Sequence, residues 1–109
     1  MLTVFEILAL PARREILSLL RQGPRSVGEL VEELGISQPI VSKQLRVLRE
    51  AGFVSVRAEA QRRWYELRPE PFTEVANWLE PYRWIWSEHL DRLGDQLDAL
   101  AAAPPEEDR

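Results

Sequence analysis

No cysteine occurs among the 109 residues, and histidine and methionine occur once each. Without cysteine the chain can build neither a disulfide framework nor a thiolate metal site. A single histidine falls short of the several nitrogen ligands that a zinc-type site wants. It also leaves no nucleophile–base constellation for catalysis. The five glycines form no Gly-rich loop of the kind that cradles phosphates. No apolar run approaches the roughly 18–20 residues needed to span a bilayer. The opening MLTVFEILALPARR places its basic residues after its apolar run, the reverse of a signal peptide. These absences lead us to expect a soluble, cytoplasmic, non-enzymatic protein with no cofactor and no membrane partner.

Positive charge is also in short supply, the formal net charge being −4. Its distribution matters more than its total. Residues 1–68 hold 11 Lys/Arg against 8 Asp/Glu, a balance of +3, whereas residues 69–109 hold 3 against 10, a balance of −7. Such a split suits a chain whose first half meets a polyanion. The overall acidity argues against loose electrostatic binding, so any contact with nucleic acid must be local and shaped.

Four short helices are expected in the first half. Thr3 can cap a helix over residues 3–10, with Val4, Phe5, Ile7 and Leu8 on its apolar side. Pro11 suits the first turn of a second helix, which carries Ile16, Leu17, Leu19 and Leu20 and stops at Gly23-Pro24. Ser26 and Glu29 have capping-box spacing at the head of a third, whose stripe is Leu30, Val31 and Leu34. Gly35-Ile36-Ser37 is a tight turn, and Ser37 is the N-cap of a fourth helix with Pro39 in its first turn. Two short helices joined in this way make a helix-turn-helix pattern.

After Gly52 the periodicity drops to two. Val54, Val56 and Ala58 alternate with Ser55, Arg57 and Glu59, and an aromatic return strand runs from Trp64 to Leu67. A hairpin placed directly behind a helix-turn-helix is a wing. The fold class is thus mainly α with a small β-hairpin wing. Phe72 to Leu79 form a further helix, and Pro81 starts or kinks a longer one reaching about Leu100. AAAPPEEDR, residues 101–109, is polar and proline-broken and is expected to be a disordered tail.

The fourth helix holds the most information. At 100° per residue, Val41, Leu45 and Leu48 share one arc, while Pro39, Lys43, Arg46 and Glu50 share the opposite one. Ser42 and Arg49 flank that outer arc, and Gln38 projects from the N-terminal end. A helix that reads DNA needs this division, with its N-terminal residues approaching base edges in the major groove. Gln pairs bidentately with adenine, and Lys or Arg with guanine; Ser37 and Ser42 suit phosphates. The plainer reading is a solvated face with two or three cations. At the wing, Arg62 and Arg63 either meet phosphates or simply keep an edge hairpin soluble.

The segments LALPARREILSLL, SVGELVEELGISQPIVSKQLRVLREAGFV and RRWYEL together resemble the ArsR/SmtB group of winged-helix transcriptional regulators. The likeness covers about residues 5–100. It implies a homodimeric repressor whose fourth helix enters the major groove of double-stranded DNA, whose wing touches the backbone or minor groove, and whose terminal helices make the dimer. The residues that carry over are Ser37, Gln38, Pro39, Ser42, Lys43 and Arg46; the family's arrangement puts the hairpin on the DNA side, which favours phosphate contact for Arg62 and Arg63. Members often have glycine at the wing turn, where this chain has Ala60-Gln61. Many members release DNA on binding metal, through a Cys-x-Cys pair on the third helix or through several His and carboxylates on the last. Here the first position reads Ser26-Val27-Gly28 and the second offers one histidine, so no metal is expected.

The resemblance makes residues 1–100 one winged domain ending in a dimerisation helix over about 71–100. Phe72, Val75, Leu79, Tyr82, Trp86, Leu93, Leu97 and Leu100 recur at spacings of mostly three and four, with His89 in the same seam. Trp78, Ile85 and Leu90 add a second stripe, broad enough to serve both this chain's core and a second copy. The expected interface is Phe5, Leu8, Tyr82, Trp86, His89, Leu93 and Leu97. Two His89 imidazoles brought together would make the dimer pH-sensitive. Trp78, Tyr82, Trp84 and Trp86 are packing residues or, alternatively, the lining of a site for a small apolar effector. A winged helix serving only as a protein-interaction module is the competing function.

Overall fold

Local signals set the ends of the first helices. The computed structural model describes residues 2–102, which gather into two compact units, one ending at Ala76 and the other beginning at Asn77. Helix α1 (Val4–Leu8) is capped reciprocally, Glu6 N–H donating to the Thr3 hydroxyl at 3.1 Å and Thr3 N–H to the Glu6 carboxylate at 2.7 Å. Pro11 opens α2 (Pro11–Leu20) at the first turn, where its missing N–H costs nothing. The Ser26–Glu29 box closes α3 (Val27–Leu34) in the same reciprocal way, at 3.2 and 3.0 Å.

Gly35 then takes φ +68°, a left-handed conformation that a residue with a Cβ adopts only at a cost. Its N–H still reaches the Val31 carbonyl at 2.9 Å, and the chain turns directly into α4 (Gln38–Glu50). Ser37 holds the N-cap position of α4, but its hydroxyl caps nothing.

One apolar core joins these helices. Ile7 of α1, Ile16, Leu17 and Leu20 of α2, Leu30 of α3 and Val41, Leu45 and Leu48 of α4 are buried together with Phe53, Val54 and Tyr65. The expected stripes are narrower than the sequence suggested: Leu19, Val31 and Leu34 are only half-buried, and Phe5 faces outward. Phe53 keeps no exposed surface and meets the ring of Phe72 edge-on at 5.2 Å.

The wing is an antiparallel pair, β1 (Val54–Glu59) and β2 (Arg62–Leu67), registered from Val54 opposite Leu67 to Glu59 opposite Arg62. Burial falls away along the hairpin instead of alternating. Val54 and Tyr65 are enclosed, Val56 is half-buried, and Ala58 is open. A third segment stitches the base: Arg25 and Tyr65 exchange both backbone hydrogen bonds, at 3.1 and 2.8 Å. The tip, by contrast, is a two-residue turn in which Ala60 has φ +57°. Left-handed alanine costs roughly 1–2 kcal/mol, and glycine gives back about half of that gain in chain entropy. Ala60→Gly is therefore expected to stabilise the protein by about 0.5–1 kcal/mol in urea denaturation. A lower midpoint for the variant would refute strain at this turn.

Helix α5 (Glu70–Leu79) closes the first unit and enters the second. In the second unit a 3₁₀ turn, Glu80–Tyr82, carries Pro81 and leads into α6 (Arg83–Ala102), so Pro81 starts the long helix and does not kink it. Trp78 and Tyr82 stack obliquely at 5.3 Å. Between Arg83 and Leu100 no side chain of α6 is buried. The helix extends two residues past the expected Leu100, and the remainder of the expected tail, residues 103–109, lies outside the described residues. Among the described residues no helix is long and apolar enough to cross a membrane.

Candidate nucleic-acid interface

Helix α4 is built with two opposed faces. Val41, Gln44, Leu45 and Leu48 point inward, and Ser42, Lys43, Arg46, Arg49 and Glu50 point outward. Ser37, Gln38 and Pro39, at its N-terminal end, are exposed as well. Among the described residues none of Gln38, Ser42, Lys43 and Arg46 is committed to a hydrogen bond or ion pair, so the outer row is available to a partner. The open Ser37 hydroxyl adds a donor and acceptor beside the first-turn amides, where the helix dipole favours an anion.

Gln44 was not anticipated among the inward residues. It is 8% exposed, and its side-chain oxygen accepts a 2.7 Å hydrogen bond from Nε of Arg13. The same guanidinium donates to the carbonyls of Ile7 and Glu6 at the end of α1, at 3.4 and 3.5 Å. One arginine thus ties α1, α2 and α4 together behind the outward face. Removing it strands a buried amide oxygen, which costs about 1–3 kcal/mol. Arg13→Ala should lower the unfolding free energy by that amount in urea titration. Pairing Arg13→Met with Gln44→Met should recover most of the loss. Equal stability of Arg13→Ala and wild type would show that the bond contributes nothing.

The wing supplies the second group of cations. Its Arg57 is already engaged, with Glu66 at 3.1 Å and Glu59 at 3.2 Å. The hydrogen bond that Arg57 donates to the Glu66 carboxylate is the main reason that the guanidinium is held above its ordinary pKa. Arg57 therefore props the hairpin and is spoken for. Arg62 and Arg63, both exposed, sit in the first turn of β2 and leave the hairpin on opposite faces, because neighbouring strand residues alternate. Arg62 lies 5.5 Å over the Trp64 ring, a cation–π contact that fixes its direction without neutralising it. Arg63 makes no ion pair among the described residues. The two charges are aimed apart and cannot clamp one phosphate together.

The expected dimer residues divide between the units. Phe5 is 41% exposed on α1, and Leu8 is half-buried against its own core. Tyr82, Trp86, His89, Leu93 and Leu97 are exposed in the second unit, as are Trp84 and Leu90. Among the described residues no three His, Asp or Glu side chains gather closely enough to hold a metal ion.

The comparisons with known proteins agree on one group. Residues 11–56 match the model of bacterial regulatory proteins of the arsR family. The chain is 50% identical over 64 residues to a biofilm growth-associated repressor of Agrobacterium fabrum, a match covering 59% of this chain and 55% of that protein. It is 33% identical over 76 residues to the transcriptional repressor SdpR of Bacillus subtilis, covering 70% of this chain and 84% of that one. Among solved structures, the homodimeric winged helix-turn-helix DNA-binding domain of Mb0332 from Mycobacterium bovis superposes with a TM-score of 0.60 at 31% identity, covering 82% of this chain and 80% of that one.

Proposed function

This chain belongs to the arsR family of bacterial regulatory proteins, and on that premise we propose that it represses transcription as a homodimer on a palindromic operator. It is a DNA-binding winged helix-turn-helix regulator and not an enzyme. In the proposed complex α4 enters the major groove by its N-terminal end. Gln38 pairs with adenine, and Lys43 and Arg46 pair with guanines. Ser37 and Ser42 hold phosphates, Pro39 shapes the first turn, and Arg62 and Arg63 meet backbone phosphates on either side of the wing.

The second copy is needed for geometry as well as affinity. Two α4 helices related by a twofold axis reach successive major-groove segments roughly 34 Å apart. The proposed interface is Tyr82 and the exposed apolar side of α6, with Phe5 and Leu8. At 20 residues, α6 is about 30 Å long, enough for a twofold interface in which each contact between two residues occurs twice, once on either side of the axis. His89 lies in that seam. The acidic second half disfavours non-specific contact with DNA while the basic face of α4 stays available. Such a protein works where chromosomal DNA is, in the cytoplasm.

The observation that carries this reading is α4 itself: an inner face sealed into the core and an outer face of unpaired polar and basic side chains. The test is selection of duplexes from a random pool by the purified protein, followed by titration of the selected site over a range of salt. An imperfect palindrome should emerge, and log affinity should fall linearly with log salt, by about 0.9 for each phosphate neutralised. Retention of no duplex, together with a stable protein partner in pulldown, would replace this reading with a protein-interaction module.

A further inference from the structure

The first turn of α4 contains one side chain that a polar groove-reading surface does not require. Ile40 is 48% exposed, and it is absent from the half-buried apolar residues that pack against the core. Val47, seven residues later on the same flank, does join that core. The apolar flank of α4 therefore emerges from the interior towards the N-terminal end and ends in an open isoleucine. Gln38 and Pro39 precede Ile40, and Lys43 is its neighbour one turn on, on the same surface.

The chemistry narrows what Ile40 can recognise. It has no hydrogen-bonding atom, so it cannot read the acceptors and donors that Gln38, Lys43 and Arg46 address. The major-groove edges of the four bases carry one apolar group, the C5 methyl of thymine. A β-branched side chain in a helix is held almost entirely in one rotamer. Ile40 thus presents its γ-methyl in a fixed direction and loses little entropy on contact. A lone exposed isoleucine among polar neighbours is too small a patch for a protein partner.

We infer that Ile40 is a base-reading residue that selects a thymine through its C5 methyl group. The inference rests on the DNA-binding reading above. Residues three apart on a helix have Cβ atoms roughly 5–6 Å from each other, and base pairs rise about 3.4 Å. The selected thymine therefore lies within about two base pairs of the guanine read by Lys43.

The test uses the full chain and its selected duplex. Each thymine of the half-site is replaced in turn, symmetrically, by deoxyuridine, which removes only the methyl, and affinities are measured by fluorescence anisotropy. At one position the wild type should lose about 3–5-fold per half-site, roughly 10–25-fold for both, the scale of one buried methyl at each. Ile40→Ala should lose a similar factor on the thymine duplex and be indifferent to deoxyuridine at that position. Ile40→Val, which keeps branched methyls, should still discriminate. Because Ile40 is exposed, both variants should melt with the wild type.

Indifference of the wild type to every deoxyuridine substitution overturns the inference and leaves DNA binding intact. So does a case in which the losses from Ile40→Ala and from deoxyuridine simply multiply. If the unsubstituted duplex is not bound at all, the DNA-binding reading falls first and this inference with it.

Discussion

Lys43→Ala combined with Arg46→Ala is expected to weaken binding to the selected operator by roughly two to four orders of magnitude per half-site, each base contact being worth about 1–3 kcal/mol. Both residues are exposed and neither is paired among the described residues. Their removal therefore leaves the fold without a lost partner, and the melting temperature should not move. The pattern of loss separates two ways of acting. A side chain on guanine loses discrimination between the operator and a shuffled duplex, whereas one on phosphate loses affinity uniformly and lowers the salt slope by about one. Anisotropy titrations on both duplexes distinguish them. Unchanged operator affinity in the double variant would end the proposal that α4 reads DNA.

The second large effect is expected at the far end of the chain. Leu93→Glu with Leu97→Glu places two carboxylates in neighbouring positions of the α6 seam. In the single chain these leucines are 50% and 56% exposed, so the substitutions disturb little within one copy. Across a twofold interface they would bury unpaired charge against apolar surface, which no dimer of this size tolerates. Light scattering should report a monomer, and operator affinity should fall at least about 100-fold, because one half-site then binds alone. A variant that stays dimeric would move the interface away from α6.

Much of this architecture is written locally in the sequence. The Ser26–Glu29 box, Pro11 and Gly35 mark helix ends within three or four residues of themselves, and the structure uses each of them. Angle alone places Lys43 and Arg46, since helical periodicity fixes which residues oppose Val41, Leu45 and Leu48. Features that depend on distant partners left no such trace. Arg25 and Tyr65 pair across 40 positions, and Arg13 meets Gln44 across 31. Nothing in the neighbourhood of either pair announces it.

Residue type also misled in places. Gln44 is polar and buried, while Ile40 and Phe5 are apolar and open, so assignment by type would exchange their roles. Ser37 sits at the expected N-cap yet leaves its hydroxyl unused. Ala60 adopts a conformation that its side chain disfavours, and the register of the hairpin imposes it.

The bond between Arg13 and Gln44 has a consequence for redesign. Greasy contacts let a helical cylinder roll about its long axis at small cost, but a directed N–H···O link sets the angle of roll. With that angle pinned from the rear, the frontal positions form an exchangeable cassette. Transplanting another regulator's outward residues onto this scaffold should carry their sequence preference with them, so long as the rear latch is left untouched.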